Sequence, residues 1–207
     1  MIDPSRLRTD QNGLSARQLA DLVSLACHDL RTPLATVAGF ATTLAHDPGL
    51  GEKHARYVGM IEAAAAQLGD IIDELAFVAR IEGERYEPTL VERDTLDLAR
   101  EAAQLLGSDL ASAVGEGAST RVDAEDTVPA LTALARAALR HGGLEHVKLT
   151  AAGNDVRIAP VQAQAAPVVL AEDLRDLGAA VAVRLLRALG CTVAVEGEAV
   201  RVAFPGK

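Results

Sequence analysis

At 207 residues the chain has room for one large domain or two small ones. Hydrophobic residues make up 49% but aromatics only 2%, with no Trp, so any core is built from Leu, Val and Ala, side chains that suit close helix packing. A formal net charge of −9 argues against a nucleic-acid partner, which needs clustered Lys and Arg; solubility alone accounts for the acidity equally well.

Cys27 and Cys191 are too few and too far apart for a disulfide framework, which suits a reducing compartment. No run approaches the roughly 18 apolar residues of a membrane span. The N-terminal MIDPSRLRTDQNG has no apolar signal core. The expectation is a cytoplasmic protein which, if the chain is complete, has no membrane sensor.

Ser15-Ala-Arg-Gln18 has capping-box spacing and opens a helix. Apolar residues then fall at Leu19, Val23, Ala26, Leu30, Pro33, Val37, Ala41 and Leu44, in the alternating four- and three-residue steps of a coiled-coil seam. His46-Asp-Pro-Gly-Leu-Gly51 breaks the pattern with turn residues. A second seam follows at Tyr57, Ile61, Ala64, Leu68, Ile71, Leu75 and Val78. Two long amphipathic helices with a short connection predict an antiparallel hairpin, and two copies of it predict a homodimeric four-helix bundle. Pro33 is expected to kink the first helix rather than end it, leaving a carbonyl near His28–Asp29 without its usual partner.

Tyr86-Glu87-Pro88 marks a boundary, giving domains 1–86 and 87–207. Beyond it, Asp94 is placed to cap a helix over about residues 95–106. Pro129 is read as opening another helix, with Leu131, Leu134, Ala138 and Leu139 on its inner face. Val147/Leu149 and Val156/Ile158 alternate around Gly153-Asn154-Asp155, which predicts a hairpin. Leu174–Leu189 reads as a third helix, and Val193/Val195 with Val200/Val202/Phe204 as a closing hairpin. Three helices on a small mixed or antiparallel sheet make an α+β sandwich.

His28-Asp-Leu-Arg-Thr-Pro-Leu34 is the chemically informative run. His28 lies two residues from the seam positions Ala26 and Leu30, which at about 100° per residue puts it on the exposed side of the helix. A neutral imidazole nitrogen is a nucleophile near neutral pH. Asp29 can accept from the ring nitrogen that does not react, fixing the tautomer. Thr32, four residues on, shares the face of His28 and can position a water. Arg31 is placed to help with phosphate charge or simply to be solvated. His46 and His54 flank the turn, and His141 and His146 flank Gly142-Gly143 without metal-ligand spacing, so these four read as surface or structural.

This run resembles the H-box of bacterial histidine kinases, in which the histidine carries a phosphoryl group. Leu75-Ala-Phe-Val-Ala-Arg-Ile-Glu82 is similar to the end of the second dimerisation helix of that family. The resemblance implies a phosphoacceptor hairpin followed by a small α/β sandwich of the GHKL-ATPase type, and it implies that Asp29-Leu-Arg-Thr32 matches the acid-x-x-Thr/Asn pattern of regulator phosphatases. In the second domain the family's nucleotide residues are missing. Ala133 and Ala137 stand where asparagines hold magnesium and nucleotide. Val156–Pro167 has neither Asp nor Gly of an Asp-x-Gly-x-Gly loop, unless Asn154 or Asp155 is its relic, and the last glycine-rich loop is reduced to Gly178. Glycines matter there because backbone N–H groups must approach phosphate closely.

The expected protein is therefore mainly α with α+β, its second domain degenerate. Its expected activity is histidine phosphotransfer or phosphatase chemistry rather than ATP-dependent kinase activity. His28 would exchange a phosphoryl group with an aspartate of a response-regulator receiver domain, with Asp29 and Thr32 as the other catalytic residues. The receiver would supply Mg2+, and this chain would need no cofactor of its own. The alternatives are a non-catalytic adaptor built on a dead kinase and a divergent active sensor kinase.

Overall fold

The structure, a computed structural model, describes residues 15–206, so the N-terminal segment read above lies outside the described residues. The chain divides into two compact units, one ending at Arg85 and the next beginning at Tyr86.

The first unit is a helical hairpin. α1 (Ala16–Ala45) starts from the full capping box: the Gln18 amide donates to Ser15 Oγ at 3.2 Å and the Ser15 amide to Gln18 Oε1 at 2.9 Å. It continues unbroken through Pro33. The turn is closed by Asp47, whose Oδ1 accepts from the Gly49 amide at 2.8 Å. α2 (Glu52–Glu82) then runs back, and Arg85 beyond its end reaches Asp21 and Ser24 near the start of α1, at 3.2 and 3.0 Å.

Within one chain the two helices touch along a line of mostly small residues that runs beside the bulky apolar seam. Buried in α1 are Ala20, Cys27 and Ala41, with Val23, Leu34 and Ala38 half-buried. Buried in α2 are Val58, Ala65, Ile72 and Ala79. Residues 20, 27, 34, 41 and 58, 65, 72, 79 each repeat every seven residues, but most are small. Small side chains let the two backbones approach, and bulky ones are pushed to the flanks. The predicted positions Leu19, Leu30, Val37, Leu44, Tyr57, Ile61 and Leu68 are consequently between 47 and 53% exposed within one chain. Of the predicted seam, Ala41 is buried and Val23, Leu75 and Val78 are half-buried.

The second unit is an α/β sandwich. Its elements are β1 (Val91–Asp94), α3 (Thr95–Leu106), β2 (Ala111–Gly117), β3 (Ser119–Val122), α4 (Ala124–Gly142), β4 (Val147–Gly153), β5 (Asp155–Ala159), α5 (Ala166–Val169), α6 (Leu177–Ala188), β6 (Thr192–Glu196) and β7 (Ala199–Ala203). Asp94 caps α3 as expected, Oδ1 accepting from the Leu96 amide at 2.8 Å. α4 starts five residues before Pro129 and carries the proline inside its second turn. With no N–H, Pro129 leaves the Glu125 carbonyl without a helical donor, a loss confined to the second turn.

The main sheet has the order β2-β4-β5-β7-β6. Three of its pairings are antiparallel, including both predicted hairpins, while β2 runs parallel to β4, so the sheet is mixed. β1 and β3 form a separate antiparallel ribbon. The strands β1, β2 and β3 and the short α5 were not anticipated. Val147, Leu149, Val156, Ile158, Val200 and Val202 are fully buried on one face of the sheet, as are Leu98, Leu131, Leu134 and Leu186 of the helices. Alternate strand residues and one stripe of each helix supply this core.

Candidate functional site

His28 sits in the middle of α1 with 78% of its side chain exposed. Its Nδ1 donates to Asp29 Oδ1 at 3.2 Å. That bond assigns the proton to Nδ1 and leaves the lone pair of Nε2 facing solvent. Thr32 is exposed one helical turn on. Its carbonyl accepts from Thr36 Oγ1 at 3.1 Å, and because Pro33 has no N–H, the Asp29 carbonyl has no helical donor at position 33. The residues expected to act together, His28, Asp29 and Thr32, thus occupy one exposed stretch of α1.

Arg31 is not simply solvated. Its Nε and Nη2 donate to Asp73 Oδ1 on α2, at 3.2 and 2.7 Å. Sequence reasoning missed Asp73, and no local signal could have supplied it, since the two residues are 42 positions apart. From this ion pair a groove of about 470 Å³ runs between α1 and α2, lined by Arg31, Leu34, Ala35, Ala38, Ala66 and Gly69 among others. At its far end Thr42 Oγ1 donates to Glu62 Oε1 at 2.8 Å. His28, Ala35 and Thr42 are spaced by seven residues, so the groove continues the line of the histidine along α1.

In the second unit Ala137 is buried and Ala133 half-buried on α4. The side chain of Asp176, 9% exposed, caps α6: Oδ1 accepts from the Ala179 amide at 3.0 Å. Its Oδ2 accepts from His141 Nε2 at 3.0 Å and lies 3.5 Å from Arg140 Nη1, both on α4. A carboxylate therefore fills the positive end of α6 and is itself neutralised from α4. The preference of Asp for N-cap positions was a readable signal for this role. Among the described residues no cluster of three or more His, Cys, Asp or Glu is arranged to hold a metal ion. No described helix is long and apolar enough to cross a membrane. Both cysteines are free and buried, and burial pushes the Cys191 thiol up to about 12.

A helical hairpin with an exposed, acid-paired histidine, followed by a helix-on-sheet domain, defines a histidine kinase-like protein. Residues 18–84 match the His Kinase A (phospho-acceptor) domain. The chain is 34% identical over 99 residues to histidine protein kinase DivJ of Caulobacter vibrioides, covering 47% of this chain and 16% of that protein. It is 36% identical over 62 residues to sensor protein DivL of the same organism, covering 30% of this chain and 8% of that protein. The chain thus spans only a small part of the curated relatives it matches. Among solved structures, full-length ShkA in complex with AMPPNP superposes with a TM-score of 0.70 at 21% identity, over 91% of this chain and 47% of that one. That likeness describes the fold: a helical hairpin followed by an α/β sheet domain like those of histidine kinase ATPase domains.

Proposed function

We propose that this chain is a histidine phosphotransfer protein of a two-component phosphorelay, exchanging a phosphoryl group between His28 and an aspartate of a response-regulator receiver domain. The observation that carries the reading is the exposed Nε2 of His28 beside an Nδ1 already engaged by Asp29. Nε2 attacks the phosphorus of the aspartyl phosphate in line; the P–N bond forms, the P–O bond breaks, and the aspartate leaves as carboxylate. The ring gains positive character as the bond forms, and the Asp29 carboxylate stabilises that charge. The groove that begins at Arg31 has a floor of small residues, which suits the ridge of a partner's helix. With water held by Thr32 in place of His28, the same surface removes phosphate from the regulator. The receiver supplies Mg2+ in either direction.

The residues of the second unit do not fit a magnesium nucleotide. Two alanines stand where donors are needed, and the Asp176 carboxylate occupies the N-terminus of α6 and repels a phosphate there. We therefore assign no cofactor to this chain. The bulky residues left exposed along both helices, Leu30, Val37, Ile61 and Leu68 among them, support a homodimer that encloses them as a four-helix bundle. A cytoplasmic location accords with two free cysteines.

Mixing the purified chain with a phosphorylated receiver tests the proposal. Label that moves to this chain, and does not move to His28→Ala, supports the carrier. Label released as free phosphate in a Thr32-dependent way supports the phosphatase. An unchanged receiver leaves a docking adaptor, and autophosphorylation from Mg-ATP identifies an active kinase; either result overturns the carrier.

A further inference from the structure

We propose that Asp73 is a positioning residue for the phosphoacceptor site, holding Arg31 against α2 while His28 is bare and yielding it to a phosphoryl group once His28 is charged. The inference rests on the reading of His28 as a phosphoryl carrier and adds to it a means of distinguishing the loaded from the empty state.

Three observations combine. Arg31 follows His28 by three residues, which makes the two side chains neighbours on the helix surface. Two of the guanidinium nitrogens, Nε and Nη2, donate to one oxygen of Asp73 on the other helix. Arg31 and Asp73 also bound one end of the groove between the helices.

The side chains of Arg31 and Asp73 are 50 and 68% exposed, so solvent weakens the pair, and it biases Arg31 by no more than about fivefold. A phosphoryl group brings close to two negative charges and three acceptor oxygens, against the single charge of Asp73. The guanidinium fork matches phosphate geometry better than a lysine would. Charging Nε2 therefore draws Arg31 off Asp73. The end of the groove changes with it, so a docking regulator meets one surface on the loaded carrier and another on the empty one.

Phosphoramidate charges His28 without any partner protein. Nε2 forms a P–N bond, the P–N bond of the reagent breaks with its electron pair on nitrogen, and ammonia leaves. The full chain, labelled with 15N-arginine, is followed before and after treatment, with the Arg31 Nε–H resonance assigned by its loss in Arg31→Gln. Phosphorus NMR with His28→Ala as control reports the charging of His28. The expected result is an Arg31 signal that moves when His28 is charged and stays still in His28→Ala. In Asp73→Asn the signal should already be displaced before treatment and should reach the same end point after it. An Arg31 signal that stays in place on a charged chain, or that ignores Asp73→Asn, overturns the inference while leaving the carrier reading intact. A His28 that takes no phosphoryl group from the reagent overturns both.

Discussion

Raising the pH from 8 to 10 is expected to weaken the second unit through a single thiol. Cys191 is buried between the end of α6 and β6, its amide donating to the Leu186 carbonyl at 2.8 Å. Burial disfavours the thiolate and raises the pKa from the ordinary 9.0 to about 12. Between those values the unfolded chain releases a proton that the folded chain keeps. Stability from this group is thus complete below about pH 9 and falls as the pH rises toward 12. At pH 10 the loss is about 1.4 kcal/mol, and the slope approaches about 1.4 kcal/mol per pH unit. Urea unfolding followed by circular dichroism at pH 8, 9 and 10, on the full chain and on Cys191→Ala, isolates the effect. Every other side chain is common to the two proteins, so its contribution cancels in the difference. The variant starts less stable because of the cavity it leaves, but its curve against pH should be the flatter by that slope. Parallel curves would refute the reasoning, because they would mean that the Cys191 thiol is no better protected in the folded chain than in the unfolded one.

Leu134→Ala, at a fully buried position of α4, should cost about 2–5 kcal/mol and show as a lowered urea midpoint. At Gly115, φ is +112° and an added Cβ would collide with the Ala151 carbonyl oxygen, so Gly115→Ala should break the pairing of β2 with β4. Amide exchange in β2 reports that loss, and unchanged protection would contradict it. Ala35→Phe fills the groove that begins at Arg31; it should leave phosphoramidate labelling of His28 unchanged while weakening receiver binding at least about tenfold, about 1.4 kcal/mol, and slowing exchange at sub-saturating receiver accordingly. Equal exchange rates would place the docking surface elsewhere.

Much of this architecture was legible because local signals and tertiary packing agree. The Ser15–Gln18 box, the Asp94 cap and the hairpin at Gly153-Asn154-Asp155 are each specified by residues within a few positions of one another. The contact between the two helices within one chain was harder to read than the bulky apolar seam, because its residues are small. Ala20, Cys27 and Ala65 mark the contact by being small, and a pattern search that rewards Leu and Ile passes over them. The strand β2 was invisible for a related reason: Ala-Ser-Ala-Val-Gly-Glu-Gly has little β propensity and is held by its parallel pairing with β4. At the site, His28, Asp29 and Thr32 lie within one turn and were readable together. The partner of Arg31 was not, since only the fold brings residue 73 to residue 31.

The carboxylate of Asp176 has a further consequence for how the second unit lives in a cell. It is attached to the helix whose N-terminus it occupies, so its effective concentration there is far above that of any free anion. A domain that binds a nucleotide gains stability in proportion to the logarithm of the ligand supply. On the proposed reading, in which the second unit takes no nucleotide, its folding equilibrium would not follow the supply of phosphate or nucleotide. Equal melting temperatures with and without Mg-ATP are the result that reading expects.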